Sequence, residues 1–137
     1  MSVEFLDTNI LVYAHDRAAG TKRDVALRLL TRLVNEDLAA ISTQVMSEFY
    51  SVATRKLRIN VTEVEAILMD MSAWHVHSPA AIDAIEAARM CRSKKVSWWD
   101  ALIVTSAASL GCSTLWSEDM RHSSLINGVR VRNPFVQ

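Results

Sequence analysis

The sequence predicts an α/β domain in which a parallel β-sheet is covered by helices on both faces. Short apolar segments with the length of strands alternate with longer segments that place apolar residues at helical spacing, and this alternation is typical of a parallel sheet. The 137 residues include only 3 Gly and 2 Pro, and no flexible linker is visible. We therefore expect a single domain that spans residues 1–137.

Five segments have the composition of strands, so the expected sheet has four to five short, mainly parallel strands. The segments are residues 3–6, 38–42, 74–77, 114–116 and 129–132. The last of them alternates apolar and basic residues and is followed by Pro134. That pattern is typical of an edge strand.

Five further segments place apolar residues at the spacing of amphipathic helices. They span residues 22–34, 43–56, 62–71, 78–92 and 98–110. Capping residues support the starts of four of these helices. The predicted caps are Ser42 or Thr43, a capping box from Thr62 to Glu65, Ser78 with Pro79 at the first helical position, and Ser97. Gly111 is expected to end the last helix.

Charge and cysteine content exclude several classes of protein. The 15 Lys and Arg balance 15 Asp and Glu, which argues against a protein that coats nucleic acid or a membrane through bulk charge. Cys91 and Cys112 are too few and too isolated for a disulfide framework or a zinc site. The N-terminal segment lacks a basic region and a long apolar run. We therefore expect a cytoplasmic protein with no membrane partner.

Four acidic residues occupy positions that solvent exposure does not explain. Asp7 and Asp119 each follow a predicted strand, and ligands of open α/β sheets gather at the carboxyl ends of strands. Glu48 and Asp100 each share the apolar stripe of a predicted helix, where a carboxylate is costly unless something pairs with it. The four acids are therefore candidates for one site.

Each acid also has a simpler structural interpretation. Asp7 can cap the following helix, and Asp100 can form a capping box with Ser97. Glu48 can lie at the edge of the core and reach water or an arginine, and Asp119 can close an Asx turn. The two interpretations of Asp100 are compatible, because a capping carboxylate can present its other oxygen to a metal.

Apart from Arg121, two residues after Asp119, no Lys or Arg lies within three residues of the four carboxylates, so they cannot converge comfortably without a cation. A donor set made only of oxygens favours Mg²⁺ or Mn²⁺ over Zn²⁺. Such clusters commonly serve phosphoryl chemistry, in which the ion binds phosphate oxygens and activates water.

The acidic segments, in this order, resemble those of the PIN-domain ribonucleases. The similar segments are Phe5-Leu6-Asp7-Thr8-Asn9-Ile10-Leu11, Ser47-Glu48, Trp99-Asp100-Ala101 and Ser117-Glu118-Asp119. The chain length and the ending, with Asn127-Gly128-Val129 and Asn133-Pro134-Phe135, are similar to VapC-type toxins of bacterial toxin–antitoxin pairs. The resemblance covers essentially the whole chain, and the successive acids are 41, 52 and 19 residues apart.

This resemblance implies a three-layer α/β/α fold, a homodimer, metal-dependent cleavage of RNA and inhibition by a cognate antitoxin. The implied catalytic acids and metal ligands are Asp7, Glu48, Asp100 and Asp119. The residues expected to support them are Thr8, Asn9, Ser117 and Glu118. Glu118 is less favoured as a ligand than Asp119, because one step along the chain turns its side chain away, but it is also a candidate for a fifth acid. One or two Mg²⁺ or Mn²⁺ ions are expected to activate the water that attacks the phosphodiester.

Basic and aromatic residues are candidates for RNA binding. With the four acids set apart, 15 Lys and Arg face 11 Asp and Glu, a net charge of +4 for the rest of the chain. We expect Arg17, Lys94 and Lys95 to contact RNA phosphates. Trp98 and Trp99 have two interpretations, as stacking partners of bases or as anchors of a helix start in the core.

Two other functions are compatible with the pattern. A non-catalytic RNA- or protein-binding module would keep the fold without turnover, although the complete set of acids argues against it. An aspartate-based phosphatase also has an Asp after its first strand, but it usually has a second Asp two residues later, where this chain has Asn9.

Overall fold

A computed structural model describes residues 2–136 of the chain, with a six-stranded sheet at its centre. The strands are β1 (Glu4–Leu6), β2 (Ala39–Ser42), β3 (His75–His77), β4 (Thr114–Trp116), β5 (Leu125–Ile126) and β6 (Val129–Arg132). Their order across the sheet is β3-β2-β1-β4-β6-β5. All neighbouring pairs are parallel except β5 with β6. The predicted mainly parallel sheet is confirmed.

Helices cover both faces of this sheet. They are α1 (Thr8–His15), α2 (Thr21–Asn35), α3 (Thr43–Arg55), α4 (Val61–Met71), α5 (Ala81–Lys94) and α6 (Trp98–Ser109). Helix α6 packs against the sheet and against α5, while α1 packs against α2 and α3. All four residues of β2 are buried, as expected for a strand with covered faces. The predicted α/β fold with covered sheet faces is therefore confirmed.

The core is built on the two central strands. Phe5 and Leu6 of β1 and Leu115 of β4 are fully buried, as is Phe49 of α3. Each fully buried side chain of this size contributes about 1.5–3 kcal/mol to folding. The two strand ends are therefore held rigidly, which matters for the polar residues that follow them.

The ends of β1 and β4 lie side by side. The register pairs Leu6 with Trp116, and the Asp7 amide donates to the Trp116 carbonyl oxygen at 3.0 Å. From β1 the chain crosses to β2 on one side, whereas β4 lies on the other side. A reversal of this kind opens a crevice at the carboxyl ends of parallel strands. Asp7 and Ser117 are the first residues after the two strands and lie at this crevice.

The C-terminal strands differ from the prediction. The segment 129–132 forms a strand, but the expectation that it is an edge strand is wrong, because β5 pairs with it on the outer side. Asn127 and Gly128 connect the two strands with φ of 50° and 81°. Positive φ at both positions is the geometry that favours Asn-Gly in two-residue hairpin turns. The dipeptide was therefore a signal for the sixth strand.

Two predicted helix starts are also wrong. The cap of α4 is Asn60, whose side chain accepts from the Thr62 amide at 2.9 Å, and not the capping box from Thr62 to Glu65. Helix α5 begins at Ala81 rather than after Ser78. Its start is fixed from inside the helix, since the Asp83 carboxylate accepts from the Ala80 amide at 2.7 Å.

Helix α1 was expected only in the alternative interpretation of Asp7 as a cap. The run Ile10–Val12 is apolar and β-branched at two of three positions, which makes its local pattern ambiguous between strand and helix. The Asp7 side chain caps the helix by accepting from the Thr8 amide at 2.7 Å. None of the helices in the described part of the chain has both the length and the hydropathy needed to cross a membrane.

Candidate active site

Asp7 is the most buried of the candidate acids, with 7% of its surface exposed. Its Oδ1 accepts from the Thr8 amide and its Oδ2 accepts from Ser117 Oγ, both at 2.7 Å. Burial raises the pKa of Asp7 to about 6, and the charges of Asp119 and Glu48 add to this effect, while the two hydrogen bonds oppose it. The capping interpretation is confirmed, and it leaves Asp7 facing the other acids.

Ser117 connects Asp7 to the segment that follows β4. Its hydroxyl donates to Asp7 and accepts from the Asp119 amide at 3.1 Å. The residue is fully buried, and its own amide donates to the Arg132 carbonyl oxygen of β6. A single hydroxyl group therefore fixes the strand end and the turn that carries Asp119 relative to Asp7.

Asn9 provides a second connection between the same two segments. Its Nδ2 donates to Asp119 Oδ2 at 2.9 Å, and its Oδ1 accepts from the Glu118 amide at 3.3 Å. The Asp119 side chain is exposed at the crevice. In the described residues its carboxylate accepts from Asn9, and we find no hydrogen bond that would close an Asx turn.

Glu48 approaches the site from α3. Its Oε2 accepts from Thr8 Oγ1 at 3.2 Å and its Oε1 accepts from Gln44 Nε2 at 2.8 Å. The residue is partly buried, and its charge contributes to the raised pKa of Asp7. Gln44 was missed by sequence analysis, although its position one turn before Glu48 was a usable signal.

Asp100 lies in the first turn of α6. Its amide donates to Ser97 Oγ at 3.2 Å, which confirms the predicted cap. Burial raises the pKa of Asp100, a hydrogen bond with Ser97 lowers it, and the charge of Asp119 raises it again. Asp119 therefore acts electrostatically on both Asp7 and Asp100.

Glu118 takes a different position from that expected of a further site acid. Its carboxylate forms an ion pair with Lys22 and accepts from the Tyr13 hydroxyl at 2.6 Å. Burial raises the pKa of Glu118, but the hydrogen bonds from Lys22 and Tyr13 outweigh burial and lower it. Glu118 supports the site through its amide, which holds Asn9, and not through its carboxylate.

The electrostatics of the four candidate acids fit a cation. Across residues 2–136, no Lys or Arg lies within ion-pair distance of Asp7, Glu48, Asp100 or Asp119. The donors are all carboxylate oxygens, the chemistry that suits Mg²⁺ or Mn²⁺. In the same range, however, no three Asp, Glu, His or Cys side chains are gathered closely enough to hold one ion. The four acids therefore act on one another through their charges without being gathered around one point.

The residues expected to bind RNA lie outside this cluster. Lys94 and Lys95 are exposed at the end of α5. Arg17 is exposed after α1 and lines a cavity of about 840 Å³ with Arg23, Lys56 and Arg58. Within residues 2–136, no hydrogen bond or ion pair joins Arg17, Lys94 or Lys95 to the four acids.

The two tryptophans at the start of α6 do not anchor it in the core. Trp98 is 40% exposed and Trp99 is 64% exposed. The interpretation of both residues as core anchors is wrong, because α6 is held by its middle turns, where Ala101, Ile103 and Val104 are buried.

Solved structures with a similar fold are toxins and toxin–antitoxin complexes. A toxin–antitoxin complex from Klebsiella pneumoniae has a TM-score of 0.70 at 20% identity over 96% of this chain and 98% of that chain. A DNA-bound VapBC from Salmonella typhimurium has a TM-score of 0.65 at 21% identity, over 98% and 99%. VapC20 from Mycobacterium tuberculosis, a sarcin–ricin loop cleaving toxin, has a TM-score of 0.62 at 16% identity, over 81% and 85%.

The similarity in sequence is at the level of the family. No curated protein sequence matches the chain. The family model of the PIN domain matches residues 5–126, which include all four candidate acids and the residues that hold them. The chain therefore belongs to the PIN domain family.

Proposed function

We propose that the protein is a metal-dependent endoribonuclease that acts as the toxin of a toxin–antitoxin pair. The observation that carries this proposal is the environment of Asp7. It is a buried carboxylate with a pKa raised to about 6, and other acids, not Lys or Arg, supply the charges that act on it. A divalent cation is the partner that best stabilises such a group, and the position at the ends of β1 and β4 suits a bound phosphodiester.

We assign each acid a role at this ion. Asp7 would be the central ligand, Asp100 and Asp119 would bind beside it, and Glu48 would bind the ion directly or through water. Mg²⁺ or Mn²⁺, one ion or two, would polarise the phosphate and supply an activated water. Ser117 and Asn9 orient Asp7 and Asp119 through the hydrogen bonds described above, and Thr8 orients Glu48.

The toxin role is supported by the similar solved structures. Two of them are complexes with an antitoxin, and VapC20 is a toxin that cleaves the sarcin–ricin loop. At 15–21% identity these similarities establish the fold. By analogy we propose a cognate antitoxin, an RNA substrate, a homodimer and a cytoplasmic location for this chain.

Cleavage of RNA by the purified protein tests the enzymatic proposal. We expect cleavage in Mg²⁺ or Mn²⁺, none in EDTA, and a loss of more than about 100-fold in Asp7→Asn and Asp100→Asn, since even supporting residues of metal sites cost 10–100-fold. Glu65→Gln is the control, because Glu65 is an exposed carboxylate on α4. Wild-type rates in Asp7→Asn would refute the assignment.

A binding module without turnover is the second candidate. It is favoured by the finding that no three acids within residues 2–136 are gathered around one point. Binding of RNA with no cleavage in either metal, and no release of the bound strand over time, would support this alternative over the nuclease.

The toxin role is tested in cells. Induction of the chain alone should stop growth and produce new RNA ends, and co-expression of the adjacent open reading frame should restore growth. The Asp7→Asn variant should leave growth unimpaired at the same protein level. Normal growth on induction of the wild-type chain would contradict the toxin role without affecting the assay on purified protein.

A further inference from the structure

Two exposed tryptophans lie directly beside a candidate site acid. Trp98 and Trp99 form the start of α6, and Asp100 follows them in the same turn. They are 40% and 64% exposed, whereas Trp74 and Trp116 are partly buried against the core. Large aromatic side chains bury 150–250 Å² each when they are covered. Their exposure at a site, with no structural role in the core, indicates a surface that is covered by a ligand.

The surroundings of this pair are basic. Arg92, Lys94 and Lys95 precede it within seven residues, and all three are exposed. None of them forms an ion pair with another of the described residues 2–136. Lys95 ends α5 in the left-handed conformation, with φ of 57°, and turns the chain towards Ser97 and the start of α6. Unpaired cations and exposed aromatic rings therefore share one segment of the surface.

We propose that Trp98 and Trp99 form a stacking platform for unpaired bases of the RNA that the site acts on. The inference rests on the proposed function, since the strand that the platform holds is the one whose phosphodiester lies at Asp100. Sites for single strands combine a positively charged path for the backbone with aromatic rings on which successive bases stack. Bases in a duplex are already stacked and offer no free face.

The geometry assigns one base to each ring. Residues Trp98 and Trp99 are neighbours on a helix, so their Cβ directions differ by about 100° and the rings do not face each other. Within residues 2–136 neither ring is paired with another aromatic ring. Each ring therefore remains free to stack. The cations at Arg92, Lys94 and Lys95 favour an RNA strand over an apolar protein segment as the occupant.

Binding measured without cleavage tests the platform. A fluorescent single-stranded oligoribonucleotide is titrated in EDTA against wild type, Trp98→Ala, Trp99→Ala, the double variant and Trp99→Phe. Each lost stacking contact should weaken binding by about 5- to 150-fold, and Trp99→Phe should retain most of the affinity. Met69→Ala is the control, because Met69 is an equally exposed apolar side chain, 68% exposed, on α4. Circular dichroism and Tm establish that the variants fold.

Two further ligands identify stacking as the cause. An abasic oligomer of the same length and a blunt duplex should bind wild type and the double variant equally, because they offer no free base. The platform would be overturned if the double variant lost as much affinity for the abasic oligomer as for the intact one. It would also be overturned if the double variant lost affinity for none of the ligands. A change from dimer to monomer in the double variant on sedimentation, with oligomer binding unchanged, would instead assign the pair to a protein interface.

The inference and the proposed function fail separately. Binding in EDTA decides the platform even if wild type cleaves no RNA, in which case the nuclease proposal fails alone. If wild type does cleave, Trp99→Ala should raise KM for single-stranded RNA about as much as it weakens binding while changing kcat little. A loss in kcat alone, with unchanged KM and unchanged binding, would contradict stacking.

Discussion

Ser117 Oγ donates to Asp7 Oδ2 at 2.7 Å, and the two residues follow neighbouring parallel strands although they are 110 positions apart. The same hydroxyl accepts from the Asp119 amide. One buried side chain thus contacts both segments of the site, in addition to the connection that Asn9 makes. Replacement of Ser117 therefore tests how the acids are oriented, because it leaves the acids themselves unchanged.

We expect Ser117→Ala to fold and to lose much of the site's function. Metal affinity should fall about 10–100-fold, as for other residues that orient ligands. The hydrogen bond from Ser117 lowers the pKa of Asp7, so its loss should raise that pKa above about 6 and move the acid limb of the pH–rate profile to higher pH. Calorimetric titration with Mn²⁺ and the pH profile of RNA cleavage measure the two effects.

The matched control for Ser117→Ala is Ser93→Ala. Ser93 is exposed on α5, and its hydroxyl donates only to the Arg89 carbonyl oxygen among the described residues. Its replacement should change neither Mn²⁺ affinity nor the pH profile. An unshifted profile in Ser117→Ala would mean that this hydroxyl does not control the ionisation of Asp7.

Asp7→Asn should stabilise the metal-free protein at high pH. The folded protein holds the pKa of Asp7 at about 6, above its ordinary value of 3.8, because the carboxylate is buried. The neutral form of Asp7 therefore stabilises the folded protein relative to the ionised form. This contribution to the free energy of unfolding is fully present below pH 3.8 and is lost as the pH rises through about 6. At pH 8 in EDTA the variant should be more stable than wild type by about 1–3 kcal/mol, with Asn retaining the cap.

Urea denaturation at pH 8 and pH 4 in EDTA measures this difference. The advantage of Asp7→Asn should vanish near pH 4, where wild type carries a neutral Asp7. With saturating Mg²⁺ at pH 8, the difference in stability between Asp7→Asn and wild type should narrow or change sign, since a ligand that binds only the folded state stabilises wild type. If Asp7→Asn is less stable than wild type at pH 8 in EDTA, the ionised Asp7 carboxylate does not destabilise the folded protein.

Metal affinity should depend on pH around the pKa of Asp7. A carboxylate must lose its proton to bind an ion, so apparent Mn²⁺ affinity should be nearly constant above pH 7. It should fall by up to about tenfold per pH unit below pH 6, with protons released on binding. Titration calorimetry in two buffers of different ionisation enthalpy measures both quantities. A flat dependence between pH 5 and 7 would remove Asp7 from the ligands.

The fold was predictable where local pattern decides it. The strand at Thr114–Trp116 and the Ser42 and Ser97 caps follow from residues close in sequence. The start of α5 was not predictable from Ser78 and Pro79, because the carboxylate that fixes it lies inside the helix, at Asp83. Strand β5 was not predicted from a pattern, because it has only two residues and an alternation of apolar and polar residues cannot show in so short a strand.

The candidate site was predictable only as a set of acids, and their role as metal ligands stays a prediction. Asp7 and Asp119 were identified because each follows a strand, which is a local property. Their connection through Asn9 and Ser117 depends on β1 and β4 being neighbours, and strand order is a property of the whole chain. The sequence favoured Asp119 over Glu118 only because adjacent side chains point in different directions. The partner of Glu118 was not predictable, because Lys22 is 96 residues away.

Replacement of these two adjacent acids should therefore have unequal effects. Glu118→Gln removes the ion pair with Lys22, which is 44% exposed, and exposed pairs contribute about 0–1 kcal/mol. Asn9 remains held through the amide of residue 118. We expect Mn²⁺ affinity to change less than about threefold in Glu118→Gln and to fall at least tenfold in Asp119→Asn, which keeps the same size but loses the charge that acts on Asp7 and Asp100.

Titration of both variants, with Tm as the measure of folding, decides between the two acids. Equal losses of Mn²⁺ affinity would make Glu118 a ligand and require its carboxylate to leave Lys22 and Tyr13. Tyr13 can report such a change. The hydrogen bond with Glu118 and partial burial raise the pKa of the Tyr13 hydroxyl, and Lys22 opposes this rise only in part. If Glu118 stays with Tyr13, saturation with Mn²⁺ leaves the Tyr13 titration unchanged. If Glu118 moves to the metal, the pKa of Tyr13 falls, and Glu118 and Asp119 then both serve as metal ligands.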